Sequence, residues 1–220
     1  MTRVIFMCGP SGAGKTTYAR RLEGAGMVRL SFDGHLWARG IRSGEVPAIV
    51  RDEVRDLLRT QLAALLGAGQ AVVLDFSFWS RAMRSEWRAL AAEHGTTPET
   101  IYLATDRRTV LARIEDRRGA DADDFPVDLQ TAAGYVDRFE VPTPEEGPLT
   151  IVVEGEEFAV TRRAPGVYDY HWLNHRHGGY GFSSATSDHS PVDGLGHVDG
   201  IRDFLRAIDP ETGFIEDDDE

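Results

Sequence analysis

The sequence predicts an α/β fold in which a mostly parallel sheet lies between layers of helices. Apolar runs such as 3–8 and 71–74 do not alternate with polar residues, so each is expected to form a strand that is buried on both faces. Segments with apolar residues at helical spacing separate these runs, and the longest is 47–66. Strands and helices that alternate in this way form a parallel sheet covered on both sides, which is a three-layer sandwich.

The expected elements extend from residue 3 to about residue 153. The strands are expected at 3–8, 27–32, 71–74, 100–104 and 149–153, and the helices at 14–25, 47–66, 80–94, 106–118 and 126–139. Gly9 and Pro10 end the first strand, and Gly67 and Gly69 end the long helix, because these residues interrupt regular backbone structure. The sequence therefore predicts one domain, 1–153, built on a five-stranded sheet.

The composition changes after Glu154, where 154–195 is rich in Gly, Ser, His and Tyr. Short strands are expected at 157–162 and 167–172, and a helix at 197–208. We interpret 154–215 as a small α+β accessory module and the wholly acidic 216–220 as a solvated tail. The histidines of the module follow no metal-ligand spacing. The sequence identifies neither a function nor a protein partner for it.

Composition limits the classes of function. The formal net charge is −12, so the chain lacks the broad basic surface that duplex DNA requires. Cys8 is the single cysteine and cannot form an internal disulfide. The N-terminal apolar run is too short for a signal peptide, and no apolar stretch approaches the length of a membrane span. We expect a cytoplasmic protein that does not associate with membranes.

A glycine-rich motif follows the first strand and precedes the first helix. Residues 9–16 (GPSGAGKT) fit the pattern G-x-x-x-x-G-K-[ST], and Lys15 is the only lysine in the chain. Glycines let consecutive N–H groups point at phosphate oxygens, the lysine reaches the β- and γ-phosphates, and the threonine hydroxyl holds Mg²⁺. We therefore expect a P-loop NTPase fold that binds ATP and Mg²⁺. The expected nucleotide-binding residues here are Gly9, Pro10, Ser11, Gly12, Ala13, Gly14, Lys15, Thr16 and Thr17.

The sequence disfavours three classes of P-loop protein. The guanine-reading N-K-x-D motif of GTPases would need a second lysine, and the L-S-G-G-Q signature of transporter ATPases does not occur. The predicted core leaves no room for the large helical domain of hexameric motors. The remaining layout is that of small kinases.

Four further motifs carry a resemblance to a known group. They are S-F-D at 31–33, V-V-L-D at 72–75, L-x-R-x-x-x-R at 111–117 and F-E-x-P at 139–142. Together with the P-loop, they resemble the P-loop kinases of the zeta-toxin, polynucleotide-kinase and chloramphenicol-phosphotransferase group over residues 1–153. The resemblance implies that Asp33 is the general base toward an acceptor hydroxyl. The alternative is that Asp33 and Gly34 form only a turn at the end of a strand.

Other residues are candidates for the same site. Asp75 closes a buried strand and would hold Mg²⁺ or position the acceptor; alternatively it caps the next helix. Arg113 and Arg117 lie four residues apart and so project from one helix face, beside a predicted lid at 119–124. We expect Arg113 to bind nucleotide and Arg117 to act catalytically on the transferred group with Lys15, unless the two arginines only form a solvated face.

Arg81 and Arg84 are further candidates because they follow Asp75, and we expect them to contact the acceptor together with Asp33 and Asp75. The predicted function is an ATP-dependent phosphotransferase that moves the γ-phosphate onto a hydroxyl. We expect a small-molecule acceptor, with a nucleic-acid 5′-hydroxyl as the alternative. A second hypothesis is an ATP-binding regulatory or interaction protein with little phosphoryl transfer.

Overall fold

The computed structural model describes residues 2–42, 46–117, 119–120 and 126–215 of the 220-residue chain. The strands are β1 (Val4–Cys8), β2 (Val28–Ser31), β3 (Val72–Asp75), β4 (Glu99–Leu103), β5 (Leu149–Val153), β6 (Glu156–Ala164), β7 (Val167–Trp172) and β8 (Tyr180–Ala185). The α-helices are α1 (Lys15–Gly24), α2 (Phe32–Ala38), α3 (Ala48–Gly67), α4 (Arg81–Glu93), α5 (Arg107–Glu115), α6 (Leu129–Asp137) and α7 (Gly194–Arg206). The predicted tail at 216–220, Arg118 and most of the predicted lid lie outside the described residues.

The strands form one sheet in the order β2-β3-β1-β4-β5-β6-β7-β8. The first five strands in this order pair in parallel, and β6, β7 and β8 continue the sheet as an antiparallel meander. The predicted α/β sandwich is confirmed, but the prediction of five strands was wrong. The meander pairs directly with β5, so it extends the sheet of the P-loop domain. The division of the chain at 153/154 stays a prediction.

The two faces of the sheet bury different layers. In β1, Val4 and Phe6 face the larger apolar cluster, whereas Ile5 and Met7 face a smaller one, as expected for a strand buried on both sides. The larger cluster contains residues of α3, α4 and α7, and the smaller one contains Ala19 of α1. This arrangement leaves the carboxyl ends of the parallel strands open at one edge, where ligands bind in α/β sheets.

A buried ion pair joins α4 to a short 3-10 helix, Pro144–Glu146, that precedes β5. Arg84 is 0% exposed and donates two hydrogen bonds of 2.7 Å to the carboxylate of Glu146. Arg88 donates a third, of 3.1 Å, to the same carboxylate. Burial alone would raise the pKa of Glu146, but the hydrogen bonds and charges of the two arginines hold it below its ordinary value.

Within the described ranges, no helix combines the length and apolar character that crossing a bilayer requires.

Candidate nucleotide-binding site

The P-loop is the turn between β1 and α1. Gly12 has φ +85°, and a Cβ added there would lie 2.8 Å from the carbonyl oxygen of Val110. Any side chain at this position would therefore collide with the backbone of α5. The hydroxyl of Thr105 donates to the carbonyl of Ala13 at 3.0 Å, which ties the turn to the end of β4. The glycine in the motif is needed both for its conformation and for this close packing.

Lys15 is buried, with 9% of its surface exposed, and its ammonium donates to the carbonyl of Pro10 at 2.8 Å. Burial lowers the pKa of Lys15, and the negative charges of Asp75 and Asp33 oppose this effect. Both carboxylates therefore act electrostatically on the P-loop lysine. The roles of Lys15 and of the two aspartates in phosphate transfer stay predictions.

Thr16 and Asp75 also meet, because the hydroxyl of Thr16 donates to one carboxylate oxygen of Asp75 at 3.3 Å. Arg29 of β2 donates to the other oxygen at 2.7 Å and holds the carboxylate in place. A hydroxyl and a carboxylate are oxygen ligands that suit Mg²⁺, which usually completes its shell with phosphate and water. No group of three His, Cys, Asp or Glu within the described part of the chain could hold a metal. The residues present therefore fit a magnesium ion that is held jointly with phosphates.

Asp33 lies in the first turn of α2, two residues after β2 ends. The hydroxyl of Ser31 caps this helix by accepting from the N–H of Gly34 at 3.2 Å. The Asp-Gly pair is thus part of a helix, and the alternative of a simple turn is wrong. Because β2 and β3 pair with Ser31 opposite Asp75, the two aspartates lie at the same edge of the sheet.

Arg113 and Arg117 both reach the P-loop from α5 and the residues after it. Arg113 donates to the carbonyl of Gly12 at 3.2 Å, and Arg117 donates to the hydroxyl of Ser11 at 3.0 Å. Both arginines line a cavity of about 520 Å³ beside the P-loop. Both guanidinium groups contact the P-loop, so the two arginines do not form only a solvated face. Their roles toward nucleotide stay predictions.

The two arginines of α4 have different positions. Arg84 is buried, and besides Glu146 it donates to the carbonyls of Phe78 and Glu140. This contradicts the predicted acceptor contact, because Arg84 is enclosed in the protein and its guanidinium already binds a carboxylate. Arg81 is exposed at the start of α4, and its acceptor contact stays a prediction.

Sequence reasoning missed several residues of the site. Arg29 was overlooked because it lies inside a strand and no motif marks it, although an arginine in an otherwise apolar run predicts a paired charge. Tyr18 and Arg21 of α1, which also line the cavity, follow the motif directly. Their spacing of three residues places them on one helix face and could have identified them.

Comparison with known proteins agrees with this geometry. The model of a protein family described as an AAA domain matches residues 4–142. No curated protein sequence gives a significant match.

Solved structures similar to this chain include three with TM-scores above 0.5. Chaetomium thermophilum Kti12 in complex with ADP-AlF3 has a TM-score of 0.53 and 20% identity, over 69% of this chain and 89% of that chain. A candidate kinase from Chloroflexus aurantiacus has a TM-score of 0.55 and 23% identity, over 69% and 87%. The Pnkp1/Rnl/Hen1 RNA repair complex has a TM-score of 0.53 and 15% identity, over 62% and 43%. At these identities the likeness establishes the fold, and the predicted resemblance to P-loop kinases is confirmed at that level.

Proposed function

The chain belongs to the AAA domain family, and we propose that within this P-loop fold it acts as an ATP-dependent phosphotransferase with an alcohol acceptor. The observation that carries the proposal is that two carboxylates lie at the edge of the sheet beside the P-loop: Asp75 accepts from Thr16 at 3.3 Å, and Asp33 follows the strand end that pairs with Asp75. A site that only holds nucleotide needs the P-loop and its lysine. A second carboxylate at this edge provides a base for an incoming hydroxyl.

The P-loop holds the phosphates of ATP in this mechanism. Its N–H groups and the N-terminus of α1 bind the β-phosphate, and Lys15 neutralises charge on the β- and γ-phosphates. To do so, the ammonium exchanges its bond with the carbonyl of Pro10 for phosphate oxygens. The complex of Kti12 with ADP-AlF3 supports nucleotide binding by this fold.

Asp33 accepts the proton of the acceptor hydroxyl as its oxygen attacks the γ-phosphorus. The bond between the γ-phosphorus and the bridging oxygen breaks at the same time, so ADP leaves with the electron pair of that bond. Arg117 turns from Ser11 to the transferring group, whose oxygens carry the developing charge. The products are ADP and the phosphate ester of the acceptor.

Thr16 and Asp75 would hold Mg²⁺ together with the phosphates, and the ion would supply positive charge that stabilises the transferring phosphate. Arg29 holds the carboxylate of Asp75 in its orientation. We propose a small molecule as acceptor. A nucleic-acid 5′-hydroxyl remains the alternative to test, since the RNA repair complex shares the fold.

The test is transfer of labelled γ-phosphate from ATP with Mg²⁺ to a panel of nucleosides, sugar nucleotides, hydroxylated antibiotics and 5′-hydroxyl oligonucleotides. We expect transfer to one class of acceptor. Asp33→Asn should lower kcat by about 10²–10⁴-fold, because it removes the base, while ADP affinity changes little. Lys15→Ala should abolish both transfer and nucleotide binding.

Two results would contradict the proposal. Unchanged turnover in Asp33→Asn would remove the base from the mechanism. Tight ATP binding without transfer to any acceptor would favour a nucleotide-dependent regulatory or interaction protein.

A further inference from the structure

The meander contacts helix α1 beside the P-loop through Glu157. Glu157 of β6 accepts a hydrogen bond from Arg21 of α1 at 3.3 Å. The negative charge of Glu157 also acts on the hydroxyl of Tyr18, one turn earlier on the same helix face. Burial first, and then the charge of Glu157, raise the pKa of Tyr18 to about 12, so the phenol stays a hydrogen-bond donor at neutral pH.

Tyr18 and Arg21 form one surface of the cavity beside the P-loop. The guanidinium carbon of Arg21 lies 4.2 Å from the centre of the Tyr18 ring, so the two planar groups pack as a cation–π pair. Arg113 and Leu103 line the same cavity. With phosphates on the P-loop, the nucleoside part of a nucleotide would extend into this space, where aromatic and guanidinium groups bind bases by stacking.

Glu157 is held by the meander itself. The N–H of Glu157 donates to the side chain of Asn174 at 2.9 Å, and its carbonyl accepts from Leu173 at 2.7 Å. Glu157 pairs with Val152 of β5, and Val152 packs against the apolar cluster on the α1 side of the sheet. The position of the carboxylate under α1 therefore depends on the strands that follow β5.

We propose that Glu157 is a positioning residue for the nucleotide site, which fixes Tyr18 and Arg21 as the wall that receives the nucleoside. The meander after β5 thereby contributes to nucleotide affinity. This inference rests on the proposed nucleotide site, but not on phosphoryl transfer. It predicts that Glu157 matters for ligands that carry a nucleoside and not for phosphate chains alone.

The experiment compares the binding of ADP and of inorganic tripolyphosphate to the full chain by calorimetry. Glu157→Ala should weaken ADP binding about fivefold, because Arg21 loses its partner and is no longer held on the Tyr18 ring. Tyr18→Ala should weaken it about tenfold, because the ring is lost. The double variant should lose clearly less than the product of the two single losses, about fiftyfold, since Glu157 and Tyr18 act on one wall through Arg21. Tripolyphosphate should bind to all of them as it does to the parent protein.

Two further variants control for structural damage. Glu157→Gln, which keeps an acceptor for Arg21, should recover part of the lost ADP affinity. Glu156→Ala removes the neighbouring carboxylate, which accepts from Trp172 instead, and should leave ADP binding unchanged.

Three results would overturn the inference: unchanged ADP affinity in Glu157→Ala, equal losses for ADP and tripolyphosphate, or additive losses in the double variant. The outcome is separable from that of the proposed function. If ADP affinity depends on Glu157 but no acceptor is phosphorylated, the positioning role stands and the kinase proposal falls. If transfer is found and Glu157→Ala binds ADP normally, only the positioning role falls.

Discussion

Two pairs of arginines that have similar sequence surroundings occupy opposite environments. Arg113 and Arg117 contact a carbonyl and a hydroxyl of the P-loop beside an open cavity. Arg84 and Arg88 bind the buried carboxylate of Glu146. The members of each pair lie four residues apart, so sequence spacing alone does not distinguish the two pairs.

The difference lies in what each guanidinium would give up to bind a phosphate. Arg84 would have to leave the buried carboxylate of Glu146 without its main partner, which costs several kcal/mol. Arg113 and Arg117 donate to a carbonyl and a hydroxyl of the P-loop, and bonds to phosphate, in which both partners are charged, are stronger than these contacts. Arg113 and Arg117 are therefore suited to ligand binding, and Arg84 and Arg88 to holding the fold.

The largest effect is expected at Arg117. Arg117→Ala should lower kcat for phosphoryl transfer by about 10³-fold, because an arginine on the transferring group stabilises the charge of the transition state. The free energy of unfolding should change by about 0.5 kcal/mol or less, as for a residue that lines an open cavity. Steady-state kinetics and urea unfolding of the same preparation measure both quantities.

Arg108→Ala is the matched control for this prediction. Arg108 is exposed on α5 and lies outside the P-loop cavity, so its removal should change neither kcat nor stability. Equal turnover in Arg117→Ala and Arg108→Ala would show that Arg117 does not contribute to catalysis.

Arg84→Ala should affect stability more than activity, the reverse of what is expected for Arg117→Ala. Because it leaves Glu146 buried without its main partner, the free energy of unfolding should fall by about 3 kcal/mol. ADP affinity, measured where the variant is folded, should stay close to that of the parent. Arg81→Ala, an exposed arginine of the same helix, should be as stable as the parent. If Arg84→Ala were fully stable and instead raised KM for the acceptor, the predicted contact of Arg84 with the acceptor would be right.

The sequence predicts the elements that have strong patterns. The P-loop, α3 and β5 were found almost to the residue, since each combines an apolar pattern with glycine or proline at its boundaries. α2 was missed because its seven residues are too few to show a helical period. β8 was missed because its sequence, YGFSSA, combines Gly and Ser as loops do, and only pairing with β7 makes it a strand.

The sequence predicts those site residues whose place in the chain, at a strand end or in the P-loop motif, determines where they lie in the fold. Lys15, Thr16 and Asp75 meet because each lies at a strand end or in the motif, and parallel strands bring such ends together. The failure at Arg84 has a different cause. Its partner Glu146 is 62 residues away in a segment without a strong pattern, so the ion pair could be identified only from the tertiary structure.

The buried ion pair should also give the protein a specific sensitivity to acid. The folded-state pKa of Glu146 lies below its ordinary value of 4.5. Its contribution to stability is therefore fully present above about pH 5 and is lost as the pH falls through the lower, folded-state pKa. Glu146→Gln should be less stable than the parent at neutral pH, and the difference should shrink on acidification.

Urea unfolding of both proteins between about pH 6 and pH 3 measures this convergence. The helix-capping carboxylates, such as Asp106 and Asp128, also have lowered pKa values, but they titrate equally in the two proteins and cancel in the difference. The effect should be smaller than that of Arg84→Ala, because the glutamine side chain still accepts a hydrogen bond from Arg84, which also keeps its bonds to the carbonyls of Phe78 and Glu140. A constant difference across the pH range would mean that Glu146 contributes through its shape and packing, and that the buried pair is not what separates the two sets of arginines.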